Sequence, residues 1–144
     1  MSSARIRRAR RLLAFETTRV AERERELAIA RRALVEVEGL LAAAVTEADT
    51  AGTRWQEDET SSEQLAWASA RRISLDIRVG RARKAVSEAL AEVARRAQAA
   101  VAARMAERRF EILIEGFEAT DDAKARKVER KAADEHASRK GGAP

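Results

Sequence analysis

Residues 6–41 read IRRARRLLAFETTRVAERERELAIARRALVEVEGLL, and the large aliphatic residues Ile6, Leu13, Val20, Leu27, Leu34 and Leu41 fall at every seventh position. An α-helix turns every 3.6 residues, so a sustained seven-residue interval draws one stripe along one side of it, the pattern of a coiled-coil seam. The companion positions three residues on are Ala9, Glu16, Arg23, Ala30, Val37 and Ala44, which are apolar only in part. The seam is therefore narrow and polar in its middle, and a partner holds such a helix only weakly.

The stripe stops near Ala51. Gly52 is placed as a helix C-cap, and Thr53 to Ser62 is polar and acidic apart from Trp55. Thr60 with Glu63, or Ser61 with Gln64, has the spacing of a capping box that opens a second helix. Beyond it Val79, Val86, Val93 and Ala100 again recur by seven, flanked by Leu75, Ala82, Leu90, Ala97 and Val101. Two helices joined by about ten residues favour an antiparallel hairpin. The expected fold is all-α, a single two-helix antiparallel coiled-coil hairpin over residues 1–144. Its first helix runs over about 4–51, its polar tip over 52–61 and its second helix over 62–118, with a charged, helix-prone tail over 119–144 that frays unless a partner orders it.

Pairing Leu34 with Val79 aligns Leu27 with Val86, Val20 with Val93 and Leu13 with Ala100, and puts the turn's midpoint near Gln56 and Glu57; a shift of one heptad fits the same series. In that register Ile6 faces Glu107, so the first helix runs out where residues 107–117, ERRFEILIEGF, begin. Two readings of this cluster stay open. Phe110, Ile112, Leu113, Ile114 and Phe117 offer an exposed contact surface, or Phe110 and Leu113 fold onto Ile6 and Leu12 as a clamp. Gly39 and Gly80 come within a turn or two of each other in this pairing, which suggests a local bend or close approach, and Gly116 either ends or loosens the second helix.

Composition narrows the function. The chain is 45% hydrophobic, much of it alanine, 3% aromatic and 37% charged, with its one proline at Pro144 and no cysteine. A thin helical seam is expected in place of a thick core, and disulfides and thiolate metal sites are excluded. There is no apolar run of roughly 20 residues to span a bilayer and no signal-peptide core, so a soluble cytoplasmic protein is expected. The lone His136 sits in the polar tail, and no phosphate-binding glycine loop, nucleophile elbow or pocketed carboxylate pair is present, so neither catalysis, a metal nor a cofactor is expected.

Contact remains, with three classes of partner. A net charge of +5 invites nucleic acid, but the arginines alternate with glutamates, as in RVAERERELAIARR, and no aromatic is interleaved for base stacking. Membrane is disfavoured because the arms carry little apolar surface and acids flank the 110–117 cluster. A protein partner suits the distribution of charge: net +6 over residues 1–32, −7 over 33–64, +5 over 65–103 and +1 over 104–144. Trp55 and Trp67 stand near the acidic tip as contact anchors, or pack there as cap and seam residue respectively.

The Arg-rich opening RIRRARRLLAF, the heptad leucines through RRALVEVEGLL, the short polar turn, the long second helix and the closing ERKAADEHASRK resemble the FliJ family of flagellar export proteins. The related YscO/SctO family of type III secretion injectisomes is similar in architecture. Within the tail the resemblance lies in Glu129, Arg130, Lys131, Asp134, Glu135 and Arg139. It implies a stalk at the cytoplasmic face of the export apparatus, peripheral to the membrane through its partners. The open end would enter a hexameric export ATPase and promote its assembly and hydrolysis; the tip half would reach the cytoplasmic domain of the export gate; export chaperones would be further partners. Carried onto this chain, the ATPase-facing residues are Ile6, Arg7, Arg8, Leu12, Leu13 and Phe15 with Arg104, Arg108, Phe110, Ile112, Leu113 and Phe117. The gate-facing residues are Leu41, Val45, Trp55, Trp67 and Leu75. The tip is shorter and more acidic than the flagellar pattern. A structural coiled-coil adaptor or a non-specific nucleic-acid-binding helical protein is the alternative.

Overall fold

The computed structural model describes residues 3–57 and 61–141, those of 53–57 by backbone only. It contains two helices, α1 (Ala4–Glu57) and α2 (Ser62–Gly141), packed against each other as a hairpin, with no strand among the described residues. Each helix opens on a serine cap. The Ile6 amide donates to Ser3 Oγ at 3.3 Å. At α2 the Gln64 amide donates to Ser61 Oγ at 3.4 Å while the Ser61 amide donates to Gln64 Oε1 at 3.1 Å, which completes a capping box. Of the two boxes the sequence permits, this is the one seen; Thr60 lies outside the described residues.

The helix ends differ from expectation. Gly52 does not cap α1, which continues to Glu57, and Gly116 does not end α2, which continues to Gly141. A C-cap needs the left-handed conformation, and no glycine among the described residues has positive φ. A helical glycine costs about 1 kcal/mol relative to alanine, too little to stop a helix whose neighbours favour it. From Asp122 to Gly141 every residue of α2 is exposed, so this last stretch is helix without a packed face.

Contacts divide the chain into two compact units, Met1–Ala21 with Val101–Pro144 and Glu22–Ala100. We call them the terminal unit and the turn-proximal unit. In both, the heptad stripe of α1 and its companion positions supply the covered residues, among them Ile6 and Ala9 in the first and Ala30 and Ala44 in the second. The stripe of α2 is likewise covered at Val79, Val86 and Val93, but its companion row is Leu75, Ala82, Ala89 and Arg96. Leu90 and Val101, expected to flank the seam, are exposed.

The pairing is about one heptad further along than the first alignment. In the turn-proximal unit Glu47 accepts from Arg71 at 3.2 Å and from Arg78 at 2.8 Å. Had Leu34 faced Val79, Arg78 would face Val35, about 18 Å along the helix from Glu47 at 1.5 Å per residue. The shifted pairing puts Leu41 near Val79 and Leu34 near Val86. Gly39 and Gly80 make no close approach, since a Cβ built on either would meet nothing within 4 Å.

The polar middle of the seam is satisfied in the same unit. Arg23 and Arg96, both at companion positions, each donate to Glu26 Oε2 at 3.1 Å, and Arg96 Nε also donates to Glu92 at 2.7 Å. Arg95 pairs with the other Glu92 oxygen. Two cations that would repel across the interface thus share one carboxylate.

Because Gly39 and Gly80 are helical and open to space, Gly39→Ala and Gly80→Ala are each expected to stabilise the hairpin by about 0.5–1 kcal/mol, read as a raised midpoint in urea at unchanged slope. A loss of stability in either variant would mean that its backbone is approached more closely than described here.

Candidate functional site

The terminal unit settles where ERRFEILIEGF goes. Arg10 donates to Glu118 at 2.7 Å and Arg5 to Asp121 at 3.3 Å. With Ile6 opposite Glu107, Glu118 would lie about 22 Å beyond the residue facing Arg10, so that pairing is excluded. Helical side chains lean toward their own N-terminus, which carries arginines of α1 past the α2 residue directly across. Allowing for that lean, Ile6 stands level with Ile114, and these two, with Ala9 and Ala103, are the buried apolar residues of the unit. The α2 stripe therefore does not end at Ala100 but passes through Glu107 to Ile114. The cluster is the continuation of the seam rather than an overhang beyond it.

Its side chains part into two roles. Phe110, Ile114 and Phe117 turn toward α1, half-buried or buried, while Ile112 and Leu113 remain 53% and 43% exposed. Closure onto α1 is carried by Ile114 opposite Ile6, whereas Leu113 and Leu12, which the clamp reading folds together, are exposed and line a groove. That groove, about 480 Å³, is lined by Ala4, Arg5, Arg8, Ala9, Arg11 and Leu12 of α1 and by Phe110, Leu113 and Phe117 of α2. The Arg5 guanidinium lies 4.4 Å from the centre of the Phe117 ring, a cation–π contact that leaves the arginine at the groove's edge. Phe15 is 60% exposed, with the Arg19 guanidinium 6.0 Å from its ring centre. On another face of α2, Arg108 donates to Glu111 at 2.9 Å and lies 3.6 Å from Glu115, which raises its pKa above the usual guanidinium value, the Glu111 bond first and the Glu115 charge second.

Of the residues assigned to ATPase contact, Arg8, Leu12, Phe110, Leu113 and Phe117 come together in the groove; Arg7, Phe15, Arg104 and Ile112 are exposed outside its lining; Leu13 is half-buried in the seam. Ile6 is 2% exposed and has no surface to offer. Of the gate-facing residues Trp67 is exposed, so it does not pack in the seam; Leu41 and Val45 are half-buried; Leu75 is buried. The side chain of Trp55 lies outside the described residues. Ile114, grouped by the contact reading with the exposed residues of its cluster, is instead buried and carries the enclosed packing; continuing the seven-residue count past Glu107 finds it.

Among the described residues no group of three His, Cys, Asp or Glu side chains is placed to hold a metal ion, and no helix is long and apolar enough to cross a membrane. The chain matches no family model, no curated protein and no solved structure.

The division of the cluster makes a mutational contrast. Ile6→Ala or Ile114→Ala, which empty the seam, are expected to cost about 2 kcal/mol or more, whereas Ile112→Ala or Leu113→Ala should cost well under half as much, measured by chemical denaturation. Equal losses in the two pairs would sink the assignment of seam and surface.

Acid should act on the other unit. Hydrogen bonds from Arg95 first and Arg96 second hold the Glu92 carboxyl below the ordinary glutamate value. A folded pKa below the unfolded one adds stability that is fully present above the unfolded value and fades as pH falls through the folded value. The melting temperature should thus decline on acidification below about pH 4.3, and Glu92→Gln should flatten the decline.

Proposed function

We propose that this protein works by contact, as a helical hairpin without catalytic chemistry, and that its contact is that of a stalk in a type III export apparatus of the flagellar or injectisome kind. The groove of the terminal unit supports the reading best. Leu12, Phe15 and Leu113 are large apolar residues that the seam leaves outside, and Arg5, Arg8 and Arg11 border them, so the unit presents a surface of both apolar and cationic character for a protein partner. In the stalk reading this surface seats in the hexameric export ATPase and promotes its assembly and activity. The exposed groups of the turn-proximal unit, Trp67 among them, would face the cytoplasmic domain of the export gate, and the protein would lie in the cytoplasm at that apparatus.

A structural coiled-coil adaptor is the second reading. It is favoured by Ile73 and Ile77, 60% and 50% exposed on α2, which form an apolar strip with Ala70 that a stalk gripped at its terminal unit does not use.

ATP hydrolysis by the export ATPase of the source organism, followed with its hexamer fraction, distinguishes the two. Stimulation with more hexamer is expected. Phe15→Ala with Leu113→Ala should reduce it tenfold or more while the far-ultraviolet helix signal is kept, because neither residue is enclosed in the seam. No stimulation and no binding by an active ATPase would remove the stalk and leave the adaptor.

A further inference from the structure

The turn-proximal unit has an apolar groove of its own, about 430 Å³, lined by Val37, Leu40, Ala43 and Ala44 of α1 and by Ala82 and Ala85 of α2. Glu47 borders it on the α1 side and Arg78 and Arg81 on the α2 side. Leu40 is 63% exposed there, beside alanines that leave room for an incoming side chain. The two walls differ in sign. Residues 33–52 carry four acids and no base; residues 69–90 carry six bases against two acids.

We propose that this groove is where a second copy of the chain docks. A two-fold axis running along the groove, parallel to the helices, lays α1 of each copy antiparallel on α2 of the other at the same height. Each acidic wall then meets a basic one, each Leu40 faces the partner's alanines, and the surface is self-complementary, as an isologous interface must be. The charge pattern selects this occupant. A uniformly acidic helix would satisfy the α2 wall and be repelled by the α1 wall, and a basic helix the reverse; the chain itself carries both signs in the order required. Charge is also available for the purpose. Glu36 and Arg81 are exposed and make no ion pair among the described residues, and docking brings Glu36 of one copy near the height of Arg81 of the other. The result is a four-helix bundle in which every neighbour is antiparallel. This surface stands apart from the groove of the terminal unit and does not depend on the stalk reading.

Sedimentation equilibrium of the full chain from about 1 to 300 μM tests the proposal without any ATPase present. The mass should rise from 15.9 kDa toward twice that value. Leu40→Glu, and separately Ala85→Glu, should weaken the dimer tenfold or more with the helix signal retained. A charge exchange keeps the test decisive even if those variants lose structure. Glu36→Arg and Arg81→Glu should each dimerise poorly alone, yet pair with one another when mixed, since both contacts of the mixed dimer are then oppositely charged. A monomer mass across the whole range would overturn the proposal, as would a dimer indifferent to Leu40→Glu or one that the mixed pair fails to restore.

Discussion

Everything in this hairpin depends on an interface built largely of alanine. Among the described residues that are fully enclosed, six are Ala9, Ala30, Ala44, Ala68, Ala100 and Ala103, and only Ile6, Leu75, Val79 and Ile114 are larger. Alanine lets two helices approach closely and favours helix by itself, but each one removes little apolar area from water. Such an interface sets helix against helix without binding them strongly. The hydrophobic term is small per heptad, and polar groups at the margins of the seam decide how the helices align.

That division explains what the sequence made legible. The α1 stripe, its companion row, the antiparallel hairpin and the Ser61–Gln64 cap all follow from spacing, because helical periodicity and capping are local and leave their mark in consecutive residues. Register is not local. Two seven-residue series match equally well when slid by seven, so Leu34 against Val79 and Leu41 against Val79 are indistinguishable by pattern. Glu107 compounded the ambiguity by standing where the α2 stripe needed an apolar residue, which made the series look finished at Ala100 although Ile114 resumes it. Glycine misled in the same direction: reading Gly52 as a cap shortened α1 and drew the turn toward the N-terminus.

The surface groups were legible as types and not as places. Apolar residues near an end, with arginines close by, pointed to contact, and Leu12, Arg8, Phe110, Leu113 and Phe117 do share a groove. Which neighbours in ILI face inward depends on the register, however: Ile114 is enclosed while Ile112 and Leu113 are exposed, and Ile6, a seam residue that the resemblance assigns to the ATPase, has no surface to give it. Similarly, Leu75 belongs to the seam and Trp67 does not. A period of seven says that a residue lies on the stripe; it takes the partner helix to say what covers the positions beside it.

Polar contacts supply what alanine cannot. An alanine seam shifted by one heptad finds another alanine and loses little, but a shifted Arg96 would lose Glu26, the acceptor it shares with Arg23. Glu26 accepts from both, and Arg96 is held a second time by Glu92. The same argument applies nearer the turn, where Glu47 takes Arg71 and Arg78 from successive levels of α2. Pairs this exposed add little to stability singly. Their effect lies in the difference between alignments: a shift of one heptad parts Glu26 from Arg96 and leaves Glu47 with at most one of its two arginines. In the turn-proximal unit the alanines allow several alignments, and charge selects one, at the cost of a seam that is weaker than leucine would have made it.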